Sequence, residues 1–180
     1  MDKEFFDIVD EHNNPIEEIA LRSEAHSKGL WHRTVHLYIF RERDGQYEFL
    51  VHLRSKTKDL CPNRWDTRFG GHVKSGETLD EAIVNEIREE LGLDIRNATL
   101  LKGETRKHED FPNNEFVTPF YLEVEKQPEL NFNDGEVQKV QWMTQQEIIE
   151  SKSKNPEQWS GSLKGFQARC EEIRGLKIKV

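Results

Sequence analysis

The sequence predicts an α/β fold, or α+β on a loose definition, formed by one domain over residues 1–180. Short alternating stretches bounded by turn residues indicate strands, and they cover residues 5–9, 16–21, 33–40, 47–53, 65–69, 98–105, 115–124 and 137–143. Apolar residues at helical spacing indicate helices between Thr78 and Gly92, over residues 144–150 and over residues 157–174. A mixed sheet with few helices is typical of this class, and 180 residues are enough to bury one core.

The connections between these elements also follow from residue type. Asp44-Gly45 predicts a tight hairpin between two alternating strands, and residues 12–15 predict a turn between the first two strands. Residues 22–29 are interpreted as a polar connection and residues 111–114 as a turn. Pro119 cannot donate a ladder hydrogen bond, so its strand should contain a bulge or lie at an edge.

Composition excludes several classes of protein. The net charge of −8 argues against a nucleic-acid polymer as partner, because such binding needs a basic face. No apolar run approaches membrane length, and the acidic start lacks the features of a signal peptide, so a cytoplasmic location is expected. Cys61 and Cys170 form neither a metal spacing nor a disulfide framework. The oligomeric state stays open, with a homodimer as one alternative.

Residues 70–95, GGHVKSGETLDEAIVNEIREELGLDI, organise the functional argument. A glycine-rich turn leads into a helix for which Thr78 and Glu81 predict a capping box. At about 100° per residue, Glu86 and Glu90 lie roughly 20° on either side of Leu79, which starts the apolar face. These two carboxylates should therefore face inward, and Glu89 should lie further round, near Ala82.

Inward carboxylates need a partner. A solvated helix face is the simpler alternative, because like charges at these spacings cost only about 0.2–0.5 kcal/mol per pair. A buried carboxylate without a partner, however, costs several kcal/mol or becomes protonated. Three carboxylates, Glu86, Glu89 and Glu90, with no lysine on that helix face therefore predict a cation. An all-oxygen ligand set favours Mg²⁺ or Mn²⁺.

The same stretch resembles the Nudix box, a gapped pattern of glycine, glutamate, arginine and aliphatic residues. The matching positions are Gly71, Glu77, Glu86, Ile87, Glu89, Glu90, Gly92 and Leu93. One position departs from the pattern, because Asn85 stands where the box has arginine. The resemblance implies an α/β/α sandwich whose loop–helix–loop holds divalent metal against a diphosphate.

A second resemblance is to the Nudix branch that contains isopentenyl-diphosphate isomerase. It rests on EAHSKGLWH at 24–32, LRSKTKDLCPNRW at 53–65 and GH at 71–72. The resemblance implies a second metal site, whose ligands match His26, His32, His72 and Glu115, while Asn113 replaces a second acid. The isomerase also has a catalytic cysteine where this chain has Gly70, and Cys61 lies too early to replace it. Each histidine could instead be an ordinary structural group.

Basic residues cluster where a substrate phosphate would need them, namely Arg54, Lys56, Lys58, Arg64 and Arg68. Ordinary surface charge is the alternative for each of them. Arg54 and Lys58 are the preferred phosphate contacts, and the predicted substrate-binding set is Arg54, Lys58, Arg68, His72 and Glu115.

The predicted function is metal-assisted hydrolysis of a diphosphate bond in a nucleoside diphosphate derivative or a related small phosphorylated molecule. Glu86, Glu89 and Glu90 would hold Mg²⁺ or Mn²⁺ with the carbonyl of Gly70 or Gly71. Glu89, Glu90, Glu115 or Glu136 would accept the proton of the attacking water.

The remaining predicted catalytic residue is Glu77. The resemblance implies that it pairs with the box arginine and braces the loop. Asn85 offers a hydrogen bond without a charge, and Arg88, about 60° round the helix, is not expected to replace it. Two alternatives remain: a catalytically inactive module that binds a nucleotide or partner, and isomerase-like chemistry.

Overall fold

A computed structural model describes residues 4–58, 60–132 and 135–178. Its strands are β1 Phe5–Val9, β2 Pro15–Leu21, β3 His32–Arg43, β4 Gln46–Arg54, β5 Trp65–Asp66, β6 Leu100–Lys102, β7 Arg106–Asp110, β8 Asn113–Glu123 and β9 Val137–Thr144. Its α-helices are α1 Arg22–Lys28, α2 Leu79–Leu91, α3 Gln145–Lys154 and α4 Leu163–Lys177, and a 3-10 turn covers Pro156–Gln158. In the described part of the chain, no helix has the length and hydropathy that crossing a bilayer requires.

The main sheet is mixed. Its strands follow the order β5-β4-β3-β8-β6, with β7 also paired to β8 and β9 to β4, while β1 and β2 form a separate hairpin. The long central pair, β3 and β8, is parallel and runs in register from His32 opposite Glu115 to Phe40 opposite Glu123. This register brings the first residues of both strands together at one end of the sheet.

Helices cover both faces of the sheet. On one face, Ile83 and Ile87 of α2 pack with Leu37 of β3 in a buried cluster. On the other face, Phe166 of α4 packs with Phe49 of β4, the ring centroids lying 5.1 Å apart. The predicted α/β/α sandwich is therefore confirmed.

The segment after β5 fills the gap where β3 and β4 diverge. It follows the edge of β3 through backbone hydrogen bonds from Val35 N to Gly71 O and from Val73 N to Arg33 O, both 2.9 Å long. Gly70 has φ +122°, and a Cβ there would lie 2.3 Å from the Val35 carbonyl oxygen. Only glycine allows this close approach, which delivers the loop to the start of α2.

The observed elements differ from the predicted ones in several places. Residues 22–29 are α1 with Gly29 as its left-handed C-cap, stabilised because Ala25 packs into a small core under the first hairpin. Residues 106–110 form β7, which sequence alone did not indicate because it is polar and exposed at the edge. The last helix begins at Leu163, where Ser162 caps it, so Trp159 precedes it. The strand predicted over residues 65–69 is also shorter, ending at Asp66.

Pro119 was expected at a bulge or an edge, whereas β8 is an interior strand. Pro119 pairs with His36 of β3 on one side. On the other side β6 and β7 end on either side of it, and its carbonyl accepts a 2.9 Å hydrogen bond from Gly103 N. The missing N–H therefore falls at the junction between two short strands, where it costs no ladder bond.

Candidate metal centres and catalytic cleft

The helix that carries the acidic residues begins and ends as predicted. The Thr78 hydroxyl accepts a hydrogen bond from Glu81 N at 3.2 Å, and the Glu81 carboxylate accepts one from Thr78 N at 2.9 Å. Gly92 ends the helix with φ +63°. The capping box fixes the start of α2 and therefore the direction in which its acidic residues point.

The box carboxylates differ in burial. Glu90 is buried, and its Oε2 accepts a 2.8 Å hydrogen bond from Gly70 N. Glu86 lies against the bare Cα of Gly71, where an added Cβ would meet its Oε2 at 2.4 Å. Glu89 is exposed. Burial raises the pKa of Glu86 to about 7 and raises the pKa of Glu90 well above its usual range. The predicted inward placement of Glu86 and Glu90 matches this geometry.

These carboxylates line an open cleft of about 400 Å³, called the carboxylate cleft. Its lining residues are Glu4, Arg22, Lys74, Glu86, Glu89, Glu90 and Glu136. Lys74 Nζ lies 3.7 Å from Glu86 and 3.3 Å from Glu89, and Arg22 lies 2.9 Å from Glu4. Sequence reasoning missed Glu4, Arg22 and Lys74. The position of Lys74 inside the box loop was the only available signal for any of them.

Glu136 joins the box residues from the segment before β9. Its carboxylate is ion-paired with Lys58 and hydrogen-bonded to the side chain of Glu90. Burial by itself would raise the pKa of Glu136, but the hydrogen bond from Lys58 lowers it. Of the two bases considered outside the box, Glu136 borders the carboxylate cleft, whereas Glu115 lies elsewhere.

Glu77 faces the loop and α2. Its Oε2 accepts a 3.2 Å hydrogen bond from Lys74 N, and its Oε1 accepts a 2.8 Å hydrogen bond from Asn85 Nδ2. Arg88 does not contact Glu77 but donates to Asn85 Oδ1 at 2.7 Å. Asn85 therefore keeps the contact with Glu77 that the resemblance assigns to the box arginine.

All three basic residues of the predicted substrate-binding set, Arg54, Lys58 and Arg68, are paired with protein groups. Arg54 donates to the Leu60 carbonyl at 2.9 Å and lies 3.8 Å from Asp66. Arg68 makes a bidentate pair with the buried Asp66 at 3.0 and 3.2 Å and donates to Ser160 at 3.1 Å. Of the predicted phosphate contacts, Lys58 lies beside the carboxylate cleft, because it is ion-paired with Glu136, which lines the cleft.

A second set of candidate ligands, called the histidine cluster, contains His26, His32, His72 and Glu115. One ligand atom from each lies within 4.8 Å of the others. His26 Nε2 and His72 Nε2 are 3.2 Å apart, and Glu115 Oε1 lies 3.8 Å from His32 Nε2 and 3.7 Å from His72 Nε2. His72 and Glu115 were assigned to substrate binding from the sequence. The structure places both of them beside His26 and His32.

The fold fixes the tautomer of His32. Its Nδ1 lies 2.9 Å from the Leu30 carbonyl, which can only accept, so Nδ1 carries the proton and Nε2 has a free lone pair. That Nε2 is buried and has no hydrogen-bond partner among the described residues. Burial lowers the pKa of His32 to about 4 and lowers those of His26 and His72. Neutral imidazole is the form that binds metal.

Phe6 of β1 closes one side of the histidine cluster. Its ring is stacked on those of His32 and His72, with centroids 5.0 and 4.7 Å away. The donor set of imidazole nitrogens and one carboxylate suits a transition metal such as Zn²⁺ or Mn²⁺. Nitrogens of a tetrahedral zinc site lie about 3.3 Å apart, close to the separation of His26 and His72.

Gly70 and Gly71, whose carbonyls were predicted as metal ligands, contact the box carboxylates through other atoms. The Gly71 carbonyl accepts the hydrogen bond from Val35, so one of its lone pairs is used in the backbone. Gly70 contacts Glu90 through its N–H. The segment Gly70-Gly71-His72 thus connects the carboxylate cleft to the histidine cluster.

Comparison with known proteins agrees with this geometry. The family model for the NUDIX domain matches residues 30–163 of this chain. The chain therefore belongs to the Nudix family. An uncharacterized Nudix hydrolase of Clostridium acetobutylicum is 40% identical over 102 residues, which are 56% of this chain and 48% of that protein. This chain thus matches about half the length of that relative.

Similarity over a longer range is found with the isomerase branch and with a solved structure. An isopentenyl-diphosphate Delta-isomerase of Aliivibrio fischeri is 26% identical over 172 residues, 87% of this chain and 89% of the isomerase. A crystal structure of a Deinococcus radiodurans protein has a TM-score of 0.71 and 25% identity, covering 93% of this chain and 99% of that one. The 26% identity to the isomerase confirms the predicted resemblance to that branch as a distant one.

Proposed function

We propose that this protein is a divalent-metal-dependent hydrolase that cleaves a diphosphate bond in a nucleoside diphosphate derivative or a related small diphosphate. The observation that carries the proposal is the convergence of Glu86, Glu89, Glu90 and Glu136 on one cleft. Glu90 is buried and the side chain of Glu86 is only 14% exposed. Buried carboxylates this close to one another repel or become protonated unless cations balance them. The all-oxygen donor set suits Mg²⁺ or Mn²⁺.

The residues of the cleft have separate roles in this proposal. A bound Mg²⁺ would neutralise charge on the phosphoryl oxygens and acidify a water. Glu86 and Glu90, with the exposed Glu89, hold the cation. Glu136, held beside Glu90 by Lys58, accepts the proton of the attacking water. Lys74 and Arg22, which line the same cleft, attract the negative charge of the diphosphate.

The histidine cluster fits a second metal. We infer that His26, His32, His72 and Glu115 hold a transition metal, because the buried Nε2 of His32 otherwise lacks a partner among the described residues. In the isomerase branch such a site serves alkene chemistry, which also needs a thiol. The sequence resemblance aligns Gly70 with that thiol, and a Cβ at Gly70 would lie 2.3 Å from the Val35 carbonyl oxygen. The isomerase alternative is therefore disfavoured.

The test is release of phosphate or of a nucleoside monophosphate from a panel of nucleoside diphosphates, triphosphates and sugar- or alcohol-linked diphosphates. Each compound is assayed with Mg²⁺, with Mn²⁺ and with a chelator. Turnover of any compound that requires metal supports the proposal and identifies the substrate class. No turnover across the panel, with Mg²⁺ still bound in calorimetry, would favour the catalytically inactive binding module.

A further inference from the structure

The loop before α2 is closed by a small turn. Glu77 N donates to the Lys74 carbonyl at 3.0 Å, and Lys74 N donates back to the Glu77 carboxylate at 3.2 Å. The other carboxylate oxygen of Glu77 accepts from Asn85 Nδ2 at 2.8 Å. Glu77 is thus the point at which the loop is tied to the middle of α2.

The Asn85 amide can have only one orientation in this arrangement. Arg88 is a pure donor and contacts one side of the amide, at 2.7 Å, while the carboxylate of Glu77 accepts on the other side. The amide oxygen must therefore face Arg88 and the amide nitrogen must face Glu77. A hydrogen bond accepted from a guanidinium also polarises the amide and strengthens the bond that it donates.

We propose that Arg88 is a positioning residue that acts through Asn85 on Glu77. Together the three side chains do what the Nudix box assigns to an arginine at position 85. The guanidinium fixes the amide, the amide fixes the carboxylate, and the carboxylate closes the turn that begins at Lys74. The effect reaches the cleft because the same loop carries Gly70 and Gly71, which contact Glu90 and Glu86. This inference rests on the proposed function for its catalytic consequence.

A simpler role for Arg88 would have different consequences. Arg88 is exposed and lies in the last turn of α2, where any cation interacts favourably with the helix dipole, by about 0.3–1 kcal/mol. That role would affect thermal stability and would be independent of the residue at position 85. The proposed relay instead requires that the effect of Arg88 depend on Asn85.

The experiment is a double-mutant cycle on the full chain with Arg88→Met and Asn85→Arg. In the natural background, Arg88→Met should weaken Mg²⁺ binding, measured by calorimetry, by about tenfold, as for other partners that orient metal ligands. It should also raise the metal concentration needed for half-maximal rate more than it lowers kcat. In the Asn85→Arg background, arginine contacts Glu77 directly, so Arg88→Met should change neither quantity.

A second readout needs neither metal nor turnover. In the metal-free protein, hydrogen exchange of the Lys74 and Glu77 amides should become about tenfold faster in Arg88→Met, corresponding to about 1.4 kcal/mol of lost protection. Arg88→Lys keeps a donor for Asn85, so it should retain most of the protection of these two amides. Arg96→Met is the matched control, because Arg96 is an exposed arginine paired with Asp94 outside the loop, and it should leave exchange unchanged.

These readouts separate the two proposals. Equal effects of Arg88→Met in both backgrounds, or no effect on exchange in the natural background, would overturn the relay whether or not the protein has hydrolase activity. Faster exchange in Arg88→Met, absent from the Asn85→Arg background, would establish the relay even if the whole substrate panel gives no turnover. In that case only the proposed function fails.

Discussion

The carboxylate cleft and the histidine cluster are supported by one backbone segment but have opposite chemistry. In the cleft, Glu86 and Glu89 of α2 lie beside the ammonium of Lys74, and Glu136 is ion-paired with Lys58. In the histidine cluster, the ring of Phe6 is stacked on the neutral imidazoles of His32 and His72. One centre is acidic and open. The other has uncharged imidazoles, with His32 and Glu115 buried and His26 and His72 partly buried.

The contrast between the two centres arises at one short segment of the backbone. Gly70 and Gly71 present almost no side-chain volume, so the carboxylates of α2 can approach the backbone on one side. The next residue, His72, points into the histidine cluster. Hard oxygen donors and borderline nitrogen donors select different metals, so the two centres should be separable by experiment.

The largest expected effect comes from Glu90→Gln. Glutamine keeps an acceptor for Gly70 N but removes the charge, so hydrolysis should fall at least about a hundredfold, beyond the loss typical of outer-shell partners. Turnover in the substrate panel and the thermal unfolding midpoint are measured together. Without metal the midpoint should not fall, because the uncharged amide still accepts from Gly70 N and carries no penalty for burying a charge. Retained turnover would show that the cleft does not hold the catalytic metal.

A smaller effect is expected from His26→Ala. Removing one imidazole from the histidine cluster should weaken binding of Co²⁺, followed by its visible absorption, about ten- to a hundredfold, in the range seen when the surroundings of a metal are altered. Mg²⁺ binding in the carboxylate cleft should be unchanged. His12→Ala, at an exposed histidine outside the cluster, is the control. Equal loss of Mg²⁺ and Co²⁺ affinity in His26→Ala would mean that the two centres are not independent.

The smallest expected effect comes from Gly71→Ala, which changes the segment that both centres share. Its Cβ would meet Glu86 Oε2 at 2.4 Å, so the flexible carboxylate must move, and Mg²⁺ affinity should fall about tenfold. The matched control is Gly175→Ala in α4, where an added Cβ meets nothing within 4 Å. That change should leave Mg²⁺ binding unaltered and stabilise the protein by about 0.5–1 kcal/mol. Unchanged Mg²⁺ affinity in Gly71→Ala would remove Glu86 from the ligand set.

Local signals in the sequence predicted most of the helix that carries the box. Thr78 and Glu81 fix its start, Gly92 fixes its end, and the helical period places Glu86 and Glu90 toward the interior. These features depend on neighbours within four residues, so they can be predicted from the sequence. The second hairpin and the long alternating strands were predictable for the same reason.

The helix α1 was not predictable in this way. Arg22–Lys28 has little apolar content of its own, and its N-terminus lacks a side-chain cap. It is helical because Ala25 packs against Phe6 and Ile8 of the first hairpin. That packing also brings His26 to the histidine cluster.

Local spacing and residue type were enough to predict the fold class, the box helix and the inward direction of Glu86 and Glu90. The surroundings of those two carboxylates depend instead on how distant segments pack. Glu4, Lys74 and Glu136 reach the carboxylate cleft from three different segments, and Glu115 reaches the histidine cluster through the parallel pairing of β3 with β8. Contacts between residues far apart in the chain depend on how whole elements pack, and no local pattern encodes that packing.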